Sequence, residues 1–209
     1  MRNDRQDTSC LYMQEMTIYQ ADRREVEFDV THAAFSAAFE KLLGRTDVRA
    51  FADVAPLPAE GARERLASFV GPLDFSLFQK IDHGGLLSAI AGKPTLATTY
   101  VFGNALVAVQ MTTYDARAGL YVPLRLFVQE IAKNRVVVTH DLPSATMMQF
   151  GVPAIDDVAR SLDDTIQRLL AETVARASFS FENSCGHDRY LRAERSPPLL
   201  DLNPPKEEY

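Results

Sequence analysis

Phe75-Ser76-Leu77-Phe78-Gln79-Lys80-Ile81-Asp82-His83-Gly84-Gly85 opens the stretch that decides the fold. It is followed, after a short apolar excursion over Leu86–Pro94, by Leu96-Ala97-Thr98-Thr99-Tyr100-Val101-Phe102-Gly103-Asn104-Ala105-Leu106-Val107-Ala108-Val109-Gln110. Phe75, Leu77 and Ile81 stay in step on one face, as in a half-buried strand. Gly103-Asn104 separates two runs rich in strand-forming residues, and such a pair supplies the backbone freedom of a two-residue hairpin turn. The spacing therefore predicts paired strands over about 97–102 and 105–111, with Leu86, Leu87 and Ile90 covering the sheet.

Working outward, Leu124, Leu126 and Val128 alternate with Arg125, Phe127 and Gln129, and Pro123 marks the start of that strand. Ala132-Lys133-Asn134 turns the chain into Arg135–Thr139, a valine-rich return that ends at His140-Asp141 before Pro143. The connection Thr112–Tyr121 is longer than a hairpin requires and is a candidate functional loop. Upstream, Val26, Phe28 and Val30 alternate with acidic residues as a strand, and Met16–Tyr19 is read as the start of an earlier one. Thr31 then caps a helix whose Phe35, Phe39, Leu42 and Leu43 form a single stripe that ends at Gly44.

Val48, Phe51 and Val54 read as a short strand interrupted by Pro56 and Pro58, and a helix resumes at Ala59 and stops at Gly71-Pro72. The clearest helix starts near Ile155: Ile155, Val158, Ala159, Leu162, Ile166, Leu169, Leu170 and Val174 recur at three and four residues. Asp156 and Asp157 at its start and Arg176 near its end suit the helix dipole. Residues 1–14 are expected to be mobile and 15–177 to form one α+β domain. The proline- and charge-rich 178–209 is expected to be a largely disordered tail.

The chain has 209 residues, 46% apolar and 24% charged, enough for one core without covalent staples. Its net charge of −6 and scattered arginines argue against a nucleic-acid footprint. No run has the length of a membrane span, and the N-terminus lacks the apolar core of a signal peptide, so no membrane association and a cytoplasmic location are expected. Cys10 and Cys185, near opposite ends, do not suggest a disulfide framework.

Ile81-Asp82-His83, Tyr100-Val101-Phe102-Gly103-Asn104, the Leu106–Met111 run, Gly119–Arg125, Asp141-Leu142-Pro143 and Gln149-Phe150-Gly151 occur in an order and spacing that resemble the domain-of-unknown-function 302 family over roughly 75–175. The resemblance implies a two-layer α+β fold of the TATA-binding-protein-like type. That fold has an antiparallel sheet with helices packed on one face, a β-α-β(4)-α-like core, and frequently a homodimer. It implies no activity.

Among single residues His83 stands out, because it follows a strand and precedes two glycines that let another group approach the backbone. Imidazole there suits a metal, a haem iron held without covalent attachment, or general-base work. Asp82 and His83 are neighbours in an extended strand and point to opposite faces, so they form no dyad, and the same holds for His140 and Asp141. A site is expected to combine His83 with His140 across the sheet, or with Tyr100, Tyr114 or Arg125, and Phe102 belongs to the same expected ligand-binding set. Phe75, Phe78 and Phe127 are further candidates for the wall of an apolar pocket. No zinc spacing, nucleophile elbow or phosphate loop is present; Cys185-Gly186-His187 lacks partners.

Together these features indicate a non-catalytic module that binds a small apolar or planar ligand between sheet and helices, with haem as its sharper form. The competing readings are an enzyme using His83 or His140 as base, and an interaction dimer with Phe127 at its contact.

Overall fold

The computed structural model describes residues 16–47 and 49–193, with side chains described as far as Phe179. Residues 1–15, which include the segment expected to be mobile, and 194–209 lie outside the described residues.

Six strands form one sheet in the order β1-β6-β5-β4-β3-β2. β1 (Arg23–Phe28) pairs antiparallel with β6 (Arg135–Asp141), β6 with β5 (Leu124–Ala132), β5 with β4 (Ala97–Gly103), and β4 with β3 (Ser76–Asp82). The two-residue β2 (Gly44–Arg45) adds a parallel edge beside β3, the one departure from an all-antiparallel sheet. Alternation sends Thr98, Tyr100, Phe102, Leu126, Val128, Val136, Val138 and His140 to a buried face. Thr99, Val101, Arg125, Phe127, Val137 and Thr139 go to the opposite face.

Two helices cover the buried face and pack on each other: α1 (His32–Leu42) and α7 (Pro153–Ala193). Thr31 caps α1 as the sequence predicts, its Oγ1 accepting from the Ala34 N–H at 3.0 Å. Phe35, Phe39 and Leu42 are fully buried beneath it. Ile155, Ala159, Leu162, Ile166, Leu169 and Leu170 form the matching stripe on α7. The helix continues past Ala177 to Ala193, so the start of the tail expected to be disordered is helical. No proline interrupts the chain between Pro153 and Pro197.

Four other expectations are corrected. The residues Met16–Tyr19 are not a strand, and Phe51 and Val54 belong to the short helix α2 (Ala50–Val54), which precedes α3 (Ala59–Ala67). Leu86, Leu87 and Ile90 do not cover the sheet: on α4 (His83–Ala91) they are 56, 42 and 84% exposed. The largest correction concerns 105–111, which is helix α5 (Ala105–Thr112) rather than the second strand of a hairpin. Both edges of β4 are already occupied, by β3 and by β5, and no hydrogen-bonding edge is left for another strand. Asn104, read as a turn residue, is instead extended at φ −132°. Its side-chain Oδ1 accepts from the N–H groups of Leu106 at 2.9 Å and Val107 at 3.4 Å.

The chain then passes through α5 and a 3-10 helix over Ala116–Tyr121 before β5, and the short helix α6 (Pro143–Met147) follows β6. The expected loop over 112–121 is therefore largely helical, and its Ala118 is buried.

Asn104→Ala removes the cap and also the bond from Asn104 Nδ2 to the Asp74 carbonyl at 2.9 Å. It is expected to destabilise the fold by about 1–2 kcal/mol in urea unfolding, while Asn104→Asp, which keeps the cap, loses less.

Candidate ligand-binding site

α5 stands at the end of the sheet and closes a cleft of about 260 Å³. Its floor comes from β3 and the segment leading into it, through Phe75 and Phe78, and from Leu124 at the start of β5. Val107, Ala108 and Met111 of α5 form one wall, with Phe51 of α2 and Leu162 of α7 completing the enclosure. Almost every lining group is apolar; Asn104 and Thr112 supply the polar side chains, and Asn104 is already committed to capping α5. Ring contacts hold the aromatics: Phe75 meets Phe102 edge to face at 5.1 Å, and Phe51 lies tilted against Phe78 at 5.9 Å. Phe75 and Phe78 were legible as pocket candidates in the sequence. The α5 residues were not, because their valines and the preceding Gly-Asn carry a strand signal.

The other expected site residues divide between the two faces of the sheet. Tyr100 and Phe102 are core residues beside Phe39 of α1, at ring distances of 5.0 and 5.7 Å. The Tyr100 hydroxyl donates to Glu40 Oε1 at 3.1 Å, and burial raises its pKa. His83 leans over the opposite face, half-buried, with Nε2 3.0 Å from Thr99 Oγ1 and its ring 6.1 Å from that of Phe127. Asp82 caps α4 by accepting from the Gly85 N–H at 2.8 Å. His83 and His140 are therefore not brought together. His83 lines none of the cavities described here. Among the described residues no group of three or more His, Cys, Asp or Glu stands ready to hold a metal ion.

Phe102, Arg125 and His140 all line a second cavity of about 290 Å³ between the sheet end, α6, α7 and Tyr121, with the Arg125 side chain on the opposite face of the sheet from the other two. His140 is only 5% exposed, and burial lowers its pKa. His32, which the sequence reading passed over as the first residue of a helix, is also buried, with Nε2 3.2 Å from Thr98 Oγ1; burial lowers its pKa too. Thr98 and Thr99 thus each hold one histidine, on opposite faces of β4.

A two-layer α+β domain with a capped helix closing an apolar cleft at one end of its sheet is the class these features define. The chain belongs to the family described as domain of unknown function DUF302, whose model matches residues 53–173, from α2 into α7. It is similar to a solved structure, an uncharacterized conserved DUF302 protein from Bacillus stearothermophilus, with a TM-score of 0.48 and 13% identity over 74% of this chain and 97% of that one. No curated protein matches the chain. No helix among the described residues is long and apolar enough to cross a membrane.

The two buried imidazoles make stability pH-dependent. Their folded pKa values lie below the ordinary 6.5, so the unfolded chain binds more protons as pH falls below about 6.5, and stability declines there. The charged groups acting on them are Glu130, Lys80 and Asp82 around His32, and Arg24, Asp163 and Asp141 around His140. The midpoint of urea unfolding is expected to drop between pH 7 and pH 5. A His32→Asn, His140→Gln double variant should show a smaller drop over the same interval.

Proposed function

We propose that this protein is a non-catalytic small-ligand-binding module, and that its ligand is a small apolar or planar molecule held in the cleft beneath α5. The observation that carries the reading is the chemistry of that cleft. Phe51, Phe75, Phe78, Met111, Leu124 and Leu162 surround about 260 Å³ with no ionisable side chain among the lining residues. An apolar molecule gains there from desolvation at about 25 cal/mol per Å² of buried surface, and a charged one would lose its hydration without a counter-charge. A volume just under the usual range for drug-sized ligands favours a compact, ring-sized occupant.

Haem is not well served by this geometry. The cleft has no histidine in its lining, and the His83 Nε2 already faces a threonine hydroxyl. Added hemin is therefore expected to give no saturable Soret band that His83→Ala removes.

Ala108 lines the cleft from α5, and a phenylalanine in its place would occupy the space. Naphthalene should bind the wild-type protein saturably, read by its fluorescence, and Ala108→Phe should weaken that binding at least about tenfold without loss of cooperative unfolding. Equal binding by the two proteins would remove the cleft from consideration.

A further inference from the structure

Residues 49–70, which carry α2 and α3, lie on an excursion that leaves the sheet after β2 and returns to it before β3. Both ends of the excursion are clamped at one point. The N–H groups of Gly44 and Gly71 each donate to the carbonyl oxygen of Phe75 at 2.9 Å. The two ends also pass too close for side chains: a Cβ on Gly44 would lie 1.8 Å from the Phe69 carbonyl oxygen, and one on Gly71 would lie 2.4 Å from the Leu42 carbonyl oxygen. Ser76 ties the returning end further, its Oγ donating to the Phe69 carbonyl at 2.7 Å.

Between the clamped ends little is anchored. Val54 is the one buried side chain among residues 49–70, and α3 buries none of its nine residues. α3 packs on α2 and on α5. A segment with so few buried apolar contacts opens at a cost well below that of global unfolding. It nevertheless sends one ring inward: Phe51, half-buried, lines the apolar cleft beneath α5 and lies against Phe78. No other residue of 49–70 contributes to that lining. The clamp bears on the same cleft, because Phe75, whose carbonyl holds both ends, is also a lining residue.

We infer that α2 and α3 form a lid over this cleft, with Phe51 as its plug, and that an apolar ligand enters when the lid swings out about the Gly44–Gly71 clamp. The inference rests on the binding role proposed above for the cleft and adds the route by which the cleft fills. The clamp keeps β2 and β3 in place, so opening does not require the sheet to separate. Closure behind the occupant shuts it off from water.

Amide hydrogen exchange on the intact protein reads the opening directly. The amides of Ala62 and Ser68 in and after α3, bonded to the carbonyls of Pro58 and Glu64, should exchange at least about a hundredfold faster than those of Ile166 and Leu169 in α7. Saturating naphthalene should slow them. Equal protection of α3 and α7, or exchange in α3 that bound naphthalene leaves unchanged, overturns the lid. Stopped-flow fluorescence with naphthalene then separates a plug from an ordinary wall. Phe51→Ala should raise the association and dissociation rates together, each at least about fivefold. A rise in dissociation alone overturns the inference, because a residue that only lines the cleft retards release without gating entry. The lid and the cleft fail differently. Saturable naphthalene binding that Ala108→Phe weakens, with association unchanged in Phe51→Ala, removes the lid alone. Absence of naphthalene binding to the wild-type protein removes the cleft, and the lid with it.

Discussion

The ring of Phe39 against Tyr100 and Phe102 is the contact on which the architecture depends. It joins the middle of α1 to the centre of β4, and a chain of aromatic contacts runs from it to Phe35 and Phe28 on one side and through Phe102 to Phe75 on the other. Pairs of this kind contribute about 0.5–1.5 kcal/mol each beyond their burial. The Tyr100 hydroxyl reaches Glu40, which also receives Lys80 Nζ at 2.6 Å, so the same turn of α1 is tied to both β4 and β3. That ion pair is partly exposed and adds little energy. Its effect is to hold one turn of α1 over both strands.

Once β4 is fixed in this way, the period of two decides where every candidate side chain goes. Tyr100 and Phe102 must face α1, and Thr99 and Val101 must face away. Across the register Tyr100 meets Leu126 and Thr99 meets Phe127, so the partition extends through β5. His83 reaches Thr99 and His140 lies on the buried side, so the separation of the two histidines follows from strand parity. The sequence already held that information in the alternation of Leu124–Gln129. What it did not hold was which face His83 would adopt, because that residue sits beyond the last residue of β3, as the first residue of α4.

Legibility therefore tracked the range of the interaction that decides each element. The cap at Thr31, the stripe of α1, the alternation in β1 and β5, the valine-rich run of β6, and the long repeat of α7 are local patterns with local causes, and the structure contains each of them. α5 has the opposite character. Its valines and the Gly103-Asn104 pair favour a strand locally, but the edges of β4 are taken by β3 and β5, which are distant in sequence on either side, and Asn104 resolves the conflict as a cap. The candidate site inherits this limit. Phe75 and Phe78 were visible as strand aromatics, whereas Val107, Ala108 and Met111 become walls only once α5 is a helix.

The same reasoning changes the meaning of the His83-Gly84-Gly85 motif. Glycines after a histidine suggest room for a ligand, yet the group that approaches belongs to the chain itself. A Cβ on Gly84 would lie 2.3 Å from the Thr95 carbonyl oxygen, and one on Gly85 would lie 2.5 Å from Asp82 Oδ2, the carboxylate that caps α4. Gly84 is thus required by a tight strand-to-helix corner that folds back on the start of β4, and Gly85 leaves room for the Asp82 carboxylate to cap α4. α4 is held by this corner, by the Asp82 cap and by Gly92 in the left-handed region at φ 62°, rather than by burial of an apolar stripe, since most of its side chains are exposed. A motif that reads as a binding loop is, in this fold, the hinge point of the backbone, and the weight of the functional argument moves from His83 to the cavities at the far end of the sheet.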